Sequence, residues 1–412
     1  MLVTQHYTPE PHDQSADLAR ELAARGHQVQ VITSFPSHPL GRTYEGWRQR
    51  LWREQDEDGV LVTRIPQYPD HSRSTLRRAA YYLSFVIMAV TIGLWRSRAN
   101  DVVLVYQAAA PVNLAGWALS RWWRSPMVIH VVDLWPDSLE AAGVRCGETL
   151  TGLIRRFTSW AYRAAARVVV ITPGYAARLV ERGLAAERVR EIPMWSRLRL
   201  PEVERRPNDN RGGFRVVYAG AIGPCQDLGV LVEAAQRLRS DPRVAIWVVG
   251  DGAEREALAK RAAASGLNNL RFIGPVPTDE VGATLQSSDS LLLHLRSNDM
   301  SRVSIPSKLI DYLAAERPVI AAIEGCSADL VRSRGCGLVV PPNDSGALAA
   351  AIRRLANEPE LAAGCRDAAR ATHATVFGRE RGVTAFEEIL SEAAGASAAQ
   401  PRASPAHSKQ AA

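Results

Sequence analysis

Short runs of β-branched and other apolar residues alternate with helix-period segments along almost the whole chain. That alternation restricts the fold to α/β architecture with mainly parallel sheets. Leu2–Gln5, Gln28–Thr33, Val60–Ile65, Val102–Val105, Val128–Val132, Arg167–Ile171 and Arg190–Ile192 are expected as strands of a first sheet. Helices are expected between them over Gln14–Arg25, closed by Gly26, and over Gly174–Arg182, closed by Gly183. The rhythm then breaks. Arg199–Gly213 carries prolines, alternating charges and the run Asn208-Asp209-Asn210-Arg211-Gly212-Gly213, the composition of an exposed linker. A second series starts at Phe214, with strands expected over Arg215–Ala219, Ala245–Gly250, Leu270–Ile273, Ser290–His294, Val319–Ile323 and Gly337–Val340 and intervening helices such as Leu228–Leu238 and Glu254–Ala264.

Size agrees with two domains, because 412 residues exceed the ~250–300 at which single cores tend to split. The expected division is residues 1–198, a linker over 199–213, a second domain over 214–377, a final helix over 378–390 and a disordered tail over 391–412, which is rich in Ala, Ser and Pro. Five scattered cysteines without a Cys-x-x-Cys pair argue against a disulfide framework or zinc site and for a reducing cytosol. The start, Leu2-Val3-Thr4, has no basic-then-apolar secretory pattern. A net charge of +7 permits attraction to phosphorylated substrates, anionic lipid or nucleic acid. No basic helix or stacking-aromatic motif supports the last of these, so nucleic acid is not expected as a partner.

The residue that says most about chemistry is Lys308, within Pro306-Ser307-Lys308-Leu309-Ile310-Asp311-Tyr312-Leu313. A helix N-terminus carries unpaired N–H groups and roughly half a positive charge, so a cation is unfavourable there unless an anion shares the site. Asp311 lies on the same helical face and would add a carboxylate for sugar hydroxyls; a solvated Lys308–Asp311 pair is the plain alternative. In parallel α/β sheets ligands sit beyond the carboxyl ends of strands. Two glycine turns follow strands there: Tyr218-Ala219-Gly220-Ala221-Ile222-Gly223-Pro224-Cys225-Gln226 and Val248-Val249-Gly250-Asp251-Gly252. Each suits close approach of a phosphate or base, and each is also explained by a tight turn. In the first domain, Asp133-Leu134-Trp135-Pro136-Asp137 puts a carboxylate and an indole at a strand's end, with Asp133 as the catalytic-face candidate and Asp137 as a helix cap. His130, inside the strand, is expected as a satisfied core residue; His6 and His12 stay open.

From Ala79 to Trp95 the chain carries no charge, a length of about 26 Å as helix and short of a ~30 Å crossing. Flanking Arg73, Arg77, Arg78, Arg96 and Arg98, with Tyr and Trp at the ends, fit a helix lying on anionic lipid. A core helix with a solvated arginine fringe fits equally. Trp117, Trp122, Trp123, Arg121 and Arg124 add a second basic-aromatic cluster.

Several segments together resemble glycosyltransferase family 4, and most of all its branch serving bacterial exopolysaccharide and lipopolysaccharide O-antigen assembly. They are Tyr7-Thr8-Pro9-Glu10, Arg25-Gly26-His27, Ile65-Pro66-Gln67-Tyr68-Pro69, Asp133-Leu134-Trp135-Pro136, Ile171-Thr172-Pro173-Gly174, Tyr218-Ala219-Gly220, and Pro306-Ser307-Lys308 through Pro318-Val319-Ile320. The resemblance implies a GT-B fold, two Rossmann-like domains with parallel sheets facing across a cleft, the donor held mainly by the second and the acceptor mainly by the first. It further implies transfer with retention from a nucleoside diphosphate sugar, expected to be UDP-linked, to a polyprenyl-diphosphate-linked glycan at the inner face of the cytoplasmic membrane. Donor contacts are then expected from Gly220, Gly223, Gln226, Gly250, Ser307, Lys308 and Asp311. Asp133 and Lys308 are the catalytic candidates, Asp133 and Trp135 face the acceptor, and no metal or other cofactor is expected.

Four positions depart from the family pattern. Asp311 matches the second acid of a Glu-x7-Glu pair, but eight residues earlier stands Val303; Ala221 and Gln226 replace the Arg and Lys often found in the glycine turn; Met194 replaces an Asn. The first-loop glycine pair is also replaced, around His12-Asp13. Lys308 is thereby left to carry more of the diphosphate charge. Two rivals remain, a nucleotide-sugar epimerase or hydrolase of similar fold and a catalytically silent membrane-associated binding subunit.

Overall fold

The computed structural model describes residues 1–398 apart from 12–13, 73, 142–143, 145–146 and 202–212. The chain forms two compact units: one holds Met1–Ile171, Ala176–Ile192 and the chain from Val383, the other Thr172–Tyr175 and Pro193–Gly382. His12, Asp13 and most of the expected linker lie outside the described residues.

The first unit is an eight-stranded sheet: β1 (Leu2–Thr4), β2 (Val29–Ser34), β3 (Arg53–Glu57), β4 (Val60–Ile65), β5 (Val103–Gln107), β6 (Met127–Val131), β7 (Arg167–Val170) and β8 (Val189–Glu191), in the order β3-β4-β2-β1-β5-β6-β7-β8. Every residue of β5 and β6 is buried, as expected of parallel strands covered on both faces. The exception is β3, which pairs antiparallel with β4 at the sheet's edge. Its sequence, Arg-Glu-Gln-Asp-Glu, contains no apolar residue and so gave no strand signal. The signal that does exist is the two-residue turn Asp58-Gly59, both at positive φ, the usual hairpin solution.

A helix of 22 residues spans Thr75–Arg96, longer than the uncharged run at both ends, and by length and composition alone it could cross a membrane. Its two sides differ in packing. Tyr81, Phe85, Ala89 and Gly93 are buried, and a Cβ at Gly93 would press on Ile32 of β2. Leu76, Leu83, Ile87 and Trp95 are exposed along the other side. One face of the helix is core and the other is exposed.

The final helix runs over Arg379–Ala398, eight residues beyond the expected 378–390, which corrects the reading of residues 391–398 as tail. Alanine is the best helix former, and Ala393 is buried, so the low content of large apolar residues did not end the helix. From Val383 onward it completes the first unit. Phe386 packs edge-on to His130 at 4.9 Å, while Glu387 accepts from Arg25 and His27, both at 2.6 Å.

The second unit is a wholly parallel sheet of β9 (Phe214–Ala219), β10 (Val244–Val249), β11 (Leu270–Gly274), β12 (Ser290–His294), β13 (Val319–Ala322) and β14 (Gly337–Val340). The order is β11-β10-β9-β12-β13-β14. The chain moves outward one way from β9 and the other way from β12, so the topological switch lies between these two strands. Loops leaving their carboxyl ends diverge there and leave room for a ligand.

Candidate functional site

The switch point gathers the expected donor residues of the second unit. Lys308 occupies the first turn of the helix Ser307–Ala314, whose N-cap is Pro306 with no side-chain cap. Its ammonium donates to the Tyr218 hydroxyl at 2.5 Å and stands 4.2 Å from the centre of the Tyr218 ring. The Tyr218 hydroxyl in turn donates to the Ala221 carbonyl at 2.5 Å. Burial raises the Tyr218 pKa, so it stays a neutral phenol and supplies no counter-charge. Burial also pulls the Lys308 ammonium down to about 8.

The surface-pair alternative for Lys308 is not what forms. Asp311 accepts from Ser196 Oγ at 2.6 Å, and among the described residues no carboxylate is paired with Lys308. Ser307 is exposed beside it.

Glycine is required beneath the ammonium by space. A Cβ on Gly220, which has φ of +131°, would come within 2.5 Å of Lys308 Nζ and 2.2 Å of Cε. A Cβ on Gly250 would meet the Gly220 carbonyl oxygen at 2.0 Å, and one on Gly252 would meet the Ile222 carbonyl oxygen at 2.2 Å. The two glycine turns are thus stacked, joined by Gly220 N–H to Val249 O at 2.8 Å and Ile222 N–H to Asp251 O at 2.9 Å. Gly223 N–H donates to Gln226 Oε1 at 3.1 Å, so Gln226 closes its own turn and that N–H is not free for a ligand. The Gln226 carbonyl is held by His294 Nδ1 at 2.7 Å.

Three contributors escaped the sequence reading. Tyr312, one turn beyond Lys308, accepts from Ala219 N–H at 3.0 Å and fixes the end of β9. Tyr218 carries the ammonium, and Ser196 holds Asp311. The first two follow strand-end and i, i+4 positions legible in the sequence; Ser196 has no such signal. Val303 packs by its backbone: its carbonyl accepts from Thr172 Oγ1 at 2.6 Å, and a Cβ on Gly174 would meet that oxygen at 2.5 Å.

In the first unit Asp133 follows β6, where a buried amide network fixes the loop. Gln107 Nε2 donates to the Asp133 carbonyl at 2.9 Å, and Gln107 Oε1 accepts from Asn113 at 2.7 Å. Burial pushes the Asp133 carboxyl up to about 6, with no ionic partner among the described residues. Trp135 is only 8% exposed and meets Tyr82 edge-on at 5.5 Å. Its indole thus packs under the loop that carries Asp133, in contact with Tyr82. Asp137 binds Arg182 at 2.5 Å and Arg178 at 3.2 Å, so it ties helices together as well as opening one.

His130 is a core residue, as expected, but neither ring nitrogen has a hydrogen-bond partner among the described residues, and burial pushes it down to about 3. His6 lies 2.7 Å from the Tyr81 hydroxyl and stacks on His38 at 4.6 Å; burial, then His38 and His71, bring it to about 3 as well.

Known proteins agree with this architecture. Residues 11–195 match the family described as glycosyl transferase 4-like domain, and residues 201–372 match glycosyl transferases group 1. The chain is 28% identical over 363 residues to the putative colanic acid biosynthesis glycosyl transferase WcaI of Escherichia coli K12, covering 82% of this chain and 87% of that protein. It is 29% identical over 273 residues to the probable glycosyltransferase WbjE of Pseudomonas aeruginosa, covering 62% and 66%. The crystal structure of Anabaena HepE in complex with UDP superimposes with a TM-score of 0.70 at 17% identity, over 95% of this chain and 99% of that one. The chain belongs to the GT-B glycosyltransferases, with a glycosyl transferase 4-like domain followed by a group 1 domain.

Proposed function

We propose that the enzyme moves a sugar from a UDP-linked donor to a polyprenyl-diphosphate-linked glycan, with retention at the anomeric carbon, during assembly of a bacterial cell-surface polysaccharide. The observation that carries this reading is the Lys308 ammonium, desolvated over the glycine turns and without a carboxylate partner among the described residues. The named roles of WcaI and the UDP held by HepE support the polysaccharide and the nucleotide.

As the sugar–phosphate bond breaks, negative charge accumulates on the leaving diphosphate. A cation already stripped of water gains more from that charge than from the ground state, which lowers the barrier. The N–H groups of Ser307 and Lys308, unpaired at a helix start, add to it. Asp311 would hold donor hydroxyls with Ser196, and Asp133 would orient the acceptor hydroxyl or the reacting sugar, with Trp135 supporting its loop from below. No metal is assigned a role.

The acceptor's lipid implies work at a membrane surface, here the inner face of the cytoplasmic membrane. The exposed stripe Leu76, Leu83, Ile87 and Trp95 lies in a segment from His71 to Asn100 that contains arginines and no acid, which suits an anionic bilayer. The deciding experiment incubates the purified chain with UDP-sugars and a bacterial membrane lipid extract. A glycolipid product is expected. Turnover without acceptor would replace this reading with an epimerase or hydrolase, and nucleotide binding without product would replace it with a silent binding subunit.

A further inference from the structure

The first unit holds a cavity of about 760 Å³ that the transferase reading does not use. It lies along the segment leading into β3 and is lined by Trp47, Arg48, Arg50, Trp52, Arg53 and Glu54. Its wall is built. Gln49, between two of the arginines, exchanges hydrogen bonds with the Gln67 backbone, donating to its carbonyl and accepting from its N–H, each at 2.8 Å. Trp47 packs edge-on to Phe35 and has the buried Arg64 guanidinium 4.8 Å from its ring centre.

The charge balance inside the cavity is one-sided. Glu54, its single acid, is committed to Arg96 and lies 3.9 Å from Arg98. Arg48, Arg50 and Arg53 have no carboxylate partner among the described residues. The Arg53 guanidinium lies over the Trp47 ring, 5.0 Å from its centre, and the residue is exposed. An exposed guanidinium matches a carboxylate or phosphate in two-point contact, and the parts of the two half-buried indoles not covered by Arg53, Arg64, Arg96 and Trp95 border the same space with apolar surface that sugar C–H groups can meet.

We propose that this cavity binds an anionic saccharide, a sugar unit bearing a carboxylate or phosphate, as a second glycan site apart from the donor turns. The proposal rests on the reading that the enzyme works on a glycan acceptor. It is tested by direct binding without donor, so loss of transfer and loss of this site are separate results.

Isothermal titration of the full chain with tetragalacturonate and with neutral cellotetraose is expected to show binding of the first only. The double variant Arg48→Ala, Arg50→Ala should weaken that binding by roughly tenfold or more. Arg53→Lys, which keeps charge but loses the planar fork, should also weaken it. Unchanged UDP binding in each variant verifies the fold. Equal binding of the neutral tetrasaccharide, or full affinity in the double variant, overturns the proposal. Failure to bind tetragalacturonate while phosphatidylglycerol vesicles are captured through the same arginines overturns it in favour of a lipid headgroup.

Discussion

Lys308 and Asp133 carry opposite charges but share a circumstance, burial without an ionic partner among the described residues. For Lys308 the folded value near 8 lies below the ordinary 10.5, so the unfolded chain holds the extra proton between them. Its contribution to stability is therefore present above about 10.5 and lost as pH falls through about 8. For Asp133 the folded value near 6 lies above 3.8, and its contribution is present below 3.8 and lost as pH rises through about 6. At pH 7.5 each charge costs the fold at most about 3 kcal/mol. Asp133→Asn should accordingly raise the melting temperature at pH 7.5 while lowering transfer, and calorimetry beside an activity assay checks both signs. Lys308→Ala should cost about 2–3 kcal/mol of transition-state stabilisation, read as kcat/KM; turnover within twofold of wild type would remove Lys308 from the mechanism. UDP affinity of the wild-type chain should fall about tenfold per pH unit above 8, because binding needs the protonated amine.

Elements rather than single side chains decide how well that ammonium is placed. The two stacked glycine turns leave no space for a methyl group at 220 or 250, so Gly220→Ala should displace Lys308 and abolish measurable UDP binding with the secondary structure intact by circular dichroism. The helix Thr75–Arg96 divides its labour by face, and Leu83→Glu with Ile87→Glu should release the enzyme from phosphatidylglycerol vesicles in a sedimentation assay without unfolding it. Elements with strong periodicity were legible from the sequence: all parallel strands and the helix at Lys308 fall within a residue or two of expectation. What was not legible has a physical reason in each case. The edge strand β3 is stabilised by pairing and by Asp58-Gly59 rather than by burial, and the final helix continues on alanine propensity. The burial of Trp135 is settled by tertiary packing against Tyr82, which no local pattern encodes.

Across the whole molecule, the same division into units that separates donor residues from Asp133 leaves the first unit incomplete until the chain ends. His130 in β6 is covered by Phe386, and Arg25 and His27 are matched by Glu387, all more than 250 residues apart in sequence. A protein emerging from the ribosome makes β6 long before it makes Phe386. The nascent first unit must therefore wait with an open apolar flank until the final helix arrives, a window in which a chaperone has reason to hold it.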